Sequence, residues 1–461
     1  MRGSFIFTPR SEVGQLEGLI GPISRKKLEE DEKIVAPIFK VRHFPLSVLK
    51  AEGPFIIDSD GKRYIDFSTG MGATILGHRH PKVISAIMDQ LNRYVHICAH
   101  VGQYDIYTQL AKRLSELTGG ILGGTFLCNS GTEANEGALK FSLWITGRHH
   151  VLAYQGSFHG MTAGSLSLTS SESVYKKRNL PLLGNVSFIP YPYCYRCYLG
   201  LNQNSCSLEC LTFVERYFET VRDPEDVAAI FLEPIQGDGG VIVPPAEYLH
   251  KLQKLCRQYG VFLVLDEIQT GFGRTGDWFA FQKFKVKPDI ITLGKGIANG
   301  LPLGAILVKK ELIDKLEGVP HGSTFGGNPL SCRAALETIQ VIIEEKILDN
   351  VQKVGRSLKR ALTNLKKEHF IIGDVRGEGL MLGIEFIRNP ESKEPLEARS
   401  ISLELFKKGF LVPVGGTYKN VLRLLPPLNI SEELVESFIE TLEEVVTKIE
   451  RRIDYYKEER K

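Results

Sequence analysis

The chain has 461 residues, with 57 Lys and Arg against 54 Asp and Glu, a net charge of +3, and 43% hydrophobic and 24% charged residues. At roughly one to two hundred residues per domain, this length permits several domains and a large core, and it excludes collagen-like, disordered and mini-protein classes. A charge this close to zero makes no polybasic or polyacidic field, so neither nucleic acid nor an anionic membrane is indicated and a small molecule is the default ligand.

The residues around Arg2 contain no apolar run of secretory length, and Lys26 to Lys33 is acidic in a way that transit peptides avoid. No stretch reaches the 18 or so apolar residues of a membrane span, so a cytoplasmic protein is expected. Residues 1 to about 50 read as an arm or extended lead-in. Residues 55–67 place two alternating apolar runs around Asp60-Gly61, which predicts a hairpin. From about residue 105, β-branched apolar runs at 151–154, 228–232, 261–265, 289–293 and 304–308 alternate with helical periodicity such as 246–259. That alternation predicts an α/β fold with a mostly parallel sheet covered on both faces. After Asn328-Pro329 a helical pattern runs to about residue 367, followed by a strand at 380–386 and a charged amphipathic helix at 431–461. The division expected is a large domain over 76–335 and a smaller one over 336–461, to which part of 1–75 is added.

In an open parallel sheet, ligands lie beyond the carboxyl ends of the strands. The residues there are Phe158-His159-Gly160, Glu233-Pro234, Asp266-Glu267-Ile268-Gln269 and Gly294-Lys295-Gly296. One carboxylate at such a place is as well explained by a helix cap; four polar strand ends describe a site. An exposed loop lysine is the ordinary reading of any single Lys. Lys295, however, leaves a buried strand between glycines, and desolvation there favours the neutral, nucleophilic amine. Upstream, Ser130-Gly131-Thr132 opens a helix, where free amides, hydroxyls and the positive helix end suit a phosphate, although a plain N-cap explains the serine equally well. Phosphate site, lysine and strand-end aspartate together suggest pyridoxal 5'-phosphate, whose ring nitrogen needs a carboxylate partner.

Over roughly residues 40 to 445 the chain resembles the class III aminotransferases, the fold-type-I branch that includes the ornithine, acetylornithine and 4-aminobutyrate enzymes. The resemblance rests on Ser130 to Glu136, Phe158-His159-Gly160, Glu233 to Gly240, Leu265 to Gly276, Leu293 to Gly296 and Thr324 to Pro329. It implies that Lys295 carries the cofactor covalently and moves the substrate proton, that Asp266 pairs with the ring nitrogen, and that Gln269 reaches the phenolic oxygen. It further implies that Phe158 stacks on the ring within the Phe158-His159 cofactor segment, and that Ser130, Gly131 and Thr132 hold the phosphate. Thr324 resembles the threonine that closes the phosphate site of a neighbouring subunit, which implies a homodimer. Arg423 resembles the arginine that binds a substrate carboxylate, and Glu233 resembles the glutamate that pairs with it when the substrate presents an ω-amino group. The expected reaction is transfer of an amino group from an ω-amino acid such as 4-aminobutyrate or ornithine to a 2-oxo acid such as 2-oxoglutarate. An acetylornithine-type aminotransferase, an amino-acid racemase or epimerase on the same scaffold, and a non-enzymatic metal-bearing sensor are the alternatives. Specificity is expected from Met71, His100, Val101 and Gln103.

Of eight cysteines, Cys98, Cys128, Cys256 and Cys332 are scattered in apolar surroundings as free core thiols. Cys194, Cys197, Cys206 and Cys210 follow the spacing C-x2-C-x8-C-x3-C within a segment at 190–212. That spacing suits a tetrahedral zinc or a small iron–sulfur cluster, with disulfides or free thiols as alternatives. His78 and His80 have metal-like spacing, but in the family resembled they lie on a loop that opens a helix. Glu267 adjoins Asp266, yet adjacent strand residues face opposite sides, so one of the two alone can meet the ring.

Overall fold

The computed structural model describes residues 19–36, 43–178 and 182–458, so the reading of the residues around Arg2 lies outside the described residues. The predicted hairpin is β2 (Phe55–Asp58) and β3 (Arg63–Asp66), paired antiparallel with Ile56 opposite Tyr64, and β1 (Val48–Glu52) adds to its edge. A seven-stranded sheet follows, built from β4 (Leu122–Cys128), β5 (His150–Tyr154), β6 (Val186–Ile189), β7 (Val227–Leu232), β8 (Phe262–Asp266), β9 (Ile290–Leu293) and β10 (Gly304–Lys309). Its order is β4-β10-β9-β8-β7-β5-β6, with β5 to β9 pairing in parallel and β10 antiparallel to both its neighbours. Every residue of β5 and β7 is buried, which is why these strands read as unbroken apolar runs. Each large side chain so placed contributes about 1.5–3 kcal/mol. The topology matters for function because it brings the carboxyl ends of β4, β5, β7, β8 and β9 to one edge of the sheet.

The antiparallel sheet β11-β12-β15-β14 consists of β11 (Ile372–Glu378), β12 (Met381–Phe386), β14 (Val414–Gly415) and β15 (Val421–Leu424). β13 (Phe410–Leu411) runs parallel to β3, so residues from both ends of the chain share a sheet. The helix Ala246–Tyr259 has the span its periodicity predicts. Several elements differ from expectation. A helix, Pro22–Ile34, occupies part of the segment read as a lead-in, and β4 and β6 were hidden in short runs interrupted by glycine or polar residues. The long helical pattern after Asn328 divides into Pro329–Glu344 and Ile347–Glu368, because Lys346 sits at φ +51 and breaks the ladder. The last helix is Glu432–Glu458. No described helix is long and apolar enough to cross a membrane.

Candidate active site

Asp266 ends β8 and is nearly buried, at 4% exposure. Its Oδ2 accepts from His159 Nδ1 at 2.8 Å and from Asn135 Nδ2 at 2.8 Å, while Oδ1 accepts the Ile268 amide at 3.0 Å. A carboxylate only accepts, so His159 carries its proton on Nδ1. The Asn135 amide is oriented in turn by Thr292 Oγ1, which donates to its Oδ1 at 2.8 Å. Asp266 is therefore a held acceptor at a strand end, with two fixed donors on one oxygen and one on the other.

Lys295 follows β9 and is half-buried at φ +44, a left-handed conformation uncommon for a side chain and of the kind stored at functional sites. Burial lowers the amine from its usual range, while the charges of Asp266, Glu233 and Asp238 oppose the shift and Arg423 adds to it. The four charged groups that the amine senses are thus those of the strand ends and of β15. The preceding Gly294 lies so close to Gly131 that a side-chain carbon there would meet its Cα and N at 3.3 Å.

The helix Gly131–Thr146 starts at this approach, with Ser130 as its N-cap accepting the Glu133 amide at 3.3 Å. The amides of Gly131 and Thr132 precede the first intrahelical bonds and remain for a ligand. Thr132 Oγ1 gathers with Ser165 Oγ at 2.5 Å and Thr162 Oγ1 at 3.0 Å, so its hydroxyl belongs to a polar cluster. Gln269 donates to the Met71 carbonyl at 3.4 Å, and its buried Oε1 has no partner. Gly237 packs against it so closely that an added Cβ would lie 2.1 Å from Oε1. Phe158 is half-buried, edge-on to Tyr175 at 5.8 Å.

Arg423, on β15 opposite Gly383 of β12, is 2% exposed and pairs through NH1 with Asp238 Oδ1 at 3.4 Å. In the structure the partner of Arg423 is thus Asp238 and not Glu233. Glu233 is occupied elsewhere, accepting the Phe158 amide and the Gly237 amide, each at 2.9 Å, and burial raises its carboxyl above the ordinary range. Arg423 Nε and Asp238 Oδ2 are both buried without partners. Neither Asp238 nor Asn135 was singled out from sequence. The one signal was position, Asp238 in the turn after β7 and Asn135 one helical turn beyond Gly131.

Of the specificity candidates, Met71 lies at the site, its Sδ 4.0 Å from Arg423 NH2. His100 and Val101 are exposed, and Gln103 turns to Asp105 and Thr108. Thr324 is also exposed. Glu267 faces away, as alternation requires. It accepts the Ala280 amide at 2.9 Å, the Phe281 amide at 2.7 Å and the Thr270 hydroxyl. His78 Nε2 lies 2.9 Å from Asp66 and His80 Nε2 3.5 Å from Glu345, so each ring meets one carboxylate.

All eight cysteines are free; Cys128, Cys256 and Cys332 are buried as expected, whereas Cys98 is half-buried. Cys194, Cys197, Cys206 and Cys210 line one small cavity with Tyr191 and Tyr193. Burial raises the Cys210 thiol to about 12, and Cys206 Sγ instead donates to Glu209 at 2.8 Å. Among the described residues, the one group of three or more candidate ligand atoms lying within 4.8 Å of one another is Glu368, His369 and Glu443. The four thiols therefore gather without closing on a common centre, and the expected zinc or iron–sulfur site is not supported.

The match to known proteins is consistent with this geometry. Residues 38–446 match the family model described as aminotransferase class-III. The chain belongs to the class III aminotransferases. Relatives of this class III chain include an alanine/serine racemase of Pyrococcus horikoshii, 36% identical over 94% of this chain and 93% of the relative. A 5-aminovalerate aminotransferase of Pseudomonas putida is 36% identical over 88% and 94%. A solved (S)-enantioselective omega-transaminase from Thermomicrobium roseum superposes with a TM-score of 0.85 at 30% identity, covering 92% of this chain and 98% of that one.

Class III aminotransferases use pyridoxal phosphate, and the residues present fit it. A desolvated amine, a fixed carboxylate, an unpartnered Gln269 oxygen and two free helix amides are brought close together, as the approaches of Gly294 to Gly131 and of Gly72 to Gln269 and Lys295 show. When bound, the cofactor supplies an electrophilic carbon and an electron sink.

Proposed function

We propose that the chain moves an amino group from an ω-amino acid of the 4-aminobutyrate, 5-aminovalerate or ornithine kind to a 2-oxo acid such as 2-oxoglutarate. The observation that carries this reading is the Arg423–Asp238 pair beside Lys295. A buried guanidinium with its own counter-charge is neutral toward a substrate that brings an amine, and becomes a bidentate carboxylate site once Asp238 turns away. One pocket then serves both half-reactions.

In this reading Asp266 holds a positive charge on the ring nitrogen, and His159 and Asn135 keep that carboxylate in place. Gly131 and Thr132 amides bind the phosphate, with Ser130 setting the helix start, and Gln269 Oε1 reaches the phenolic oxygen. The Lys295 amine, lowered from its usual range by burial, transfers the proton at the substrate carbon. Thr324, exposed in one chain, completes the site of a second subunit, making the active unit a homodimer.

Racemisation is the second reading. It is supported by relatives named racemases and by Asp238 Oδ2, a buried carboxylate oxygen without a partner near Lys295. Steady-state rates with 4-aminobutyrate, 5-aminovalerate or ornithine as donor and 2-oxoglutarate as acceptor separate the two. Parallel double-reciprocal lines support the transferase. Conversion of L- to D-amino acids without any oxo acid, and no transfer, would defeat it.

A further inference from the structure

Among the contacts of the cysteine-bearing segment with the rest of the molecule are two side chains that the reaction does not use. Tyr193 Oη and Arg196 Nε both donate to Glu385 of β12. Glu385 is completely buried and also accepts from Arg376 NH1 at 2.6 Å and Asn420 Nδ2 at 3.3 Å. Burial alone would raise this carboxyl, but Arg376, Tyr193 and Arg196 hold it below its usual range, so it is an anion with four donors. Arg376 NH1 also donates to Asp374 Oδ2 at 3.1 Å, and its other donors turn to main chain: NH2 and Nε donate to the Gly240 carbonyl at 2.7 and 3.0 Å, and Nε to that of Val241 at 3.2 Å. These carbonyls belong to the turn that carries Asp238, whose own carbonyl accepts the Gly416 amide at 3.0 Å. The same strand, β12, places Gly383 opposite Arg423.

The chain of contacts therefore runs from the cysteine segment through one buried carboxylate to both partners of the substrate-sorting pair. We propose that Tyr193 and Arg196 are positioning residues: acting through Glu385 and Arg376, they hold the 237–241 turn so that Asp238 stays aligned with Arg423. The physical reason is competition for Arg376. With Arg196 present, Glu385 is satisfied and Arg376 is left free to clamp Gly240. Without it, the buried carboxylate draws Arg376 toward itself, the carbonyls lose their donor, and the turn loosens. Asp238 then neutralises Arg423 less well, and a substrate carboxylate competes for the guanidinium more easily. This inference rests on the reading of Arg423 as the carboxylate site.

The experiment is a titration of the cofactor-loaded protein with glutarate, an unreactive dicarboxylate, followed by the visible absorbance of the cofactor. Wild type, R196Q, R196K, Y193F, D238N and the double variant R196Q/D238N are compared. R196Q is expected to tighten glutarate binding three- to tenfold, Y193F less and in the same direction, with R196K close to wild type. In the D238N background R196Q is expected to change the affinity by less than twofold, since the residue it positions is gone. A general structural role predicts equal effects in both backgrounds. Unchanged affinity in R196Q, or an equal change with and without D238N, overturns the inference. If R196Q does not fold, Y193F alone and with D238N decides by the same criterion. A wild type that transfers amino groups yet does not respond to glutarate refutes the carboxylate reading of Arg423 itself, and the inference with it.

Discussion

Asp238→Asn is the sharpest perturbation of the proposed substrate logic. The side chain keeps its shape and loses its charge, so Arg423, 2% exposed, is left without its counter-ion. At 3.4 Å and an effective dielectric near 20, the Coulomb term is about 5 kcal/mol. The Asp238 side chain is 21% exposed and the contact is long, so solvent and desolvation reduce the net value to about 1–2 kcal/mol. Every 1.36 kcal/mol is tenfold in rate or affinity. Binding of 2-oxoglutarate, which no longer competes with Asp238, strengthens by roughly that factor. The ω-amine donor, which must now sit beside a bare guanidinium, loses a similar amount. The ratio of kcat/KM for acceptor over donor therefore rises on the order of 10²-fold, from two opposed changes of 1–2 kcal/mol each. Separate half-reactions in a stopped-flow spectrometer measure both values, with circular dichroism confirming that the variant is folded. A ratio that stays within threefold of wild type refutes the assignment of Asp238 as the switch.

Lys295→Ala should leave a folded, cofactor-binding protein whose turnover falls at least about 10⁴-fold, because both covalent attachment and proton transfer depend on one amine. Assays with and without added methylamine check this, and turnover within tenfold of wild type would contradict it. Glu267 provides a pH test. Burial pushes its carboxyl up to about 7 from an ordinary 4.5. Between those values the folded chain holds a proton that the unfolded chain has released, so this group's contribution is complete below pH 4.5 and is lost as pH rises through 7. Glu267→Gln should therefore flatten the decline in thermal midpoint between pH 5 and 8. It should also cost about 1–3 kcal/mol at pH 5, where its amide NH₂ meets backbone donors. An unchanged pH slope would show that Glu267 does not titrate there.

Much of the fold was legible because its strands are buried on both faces. The runs at 151–154, 228–232, 261–265, 289–293 and 304–308 are mostly aliphatic and aromatic, and each coincides with a strand to within a residue or so. The hairpin declared itself through Asp60-Gly61. What escaped was decided by single residues or by contacts distant in sequence. Nothing local marks Lys346 as the left-handed break between two helices, and Gly123 and Gly124 hide β4. The site's principal residues were legible because chemistry-bearing side chains recur at strand ends, where the topology gathers them. Asp238 was not, since which carboxylate of the segment 233–240 meets Arg423 depends on how the turn folds back. Glu233 spends its oxygens on the amides of Phe158 and Gly237, and that leaves Asp238 to face β15. The cysteine spacing was informative about proximity, while the zinc or iron–sulfur site it suggested finds no support. It brings four thiols to one cavity, but Cys206 turns to Glu209 and no shared centre forms.

The most direct measurement is the visible spectrum of the purified protein, followed as stoichiometric 4-aminobutyrate, 5-aminovalerate, ornithine or alanine is added with no oxo acid. An amino-transfer site built on Lys295 and Asp266 predicts that one ω-amino donor bleaches the yellow band to the absorbance of the amine form of the cofactor, and that 2-oxoglutarate restores it. A band that persists with every donor while deuterium from solvent enters the α-carbon of alanine would contradict the transferase reading and establish racemisation in its place.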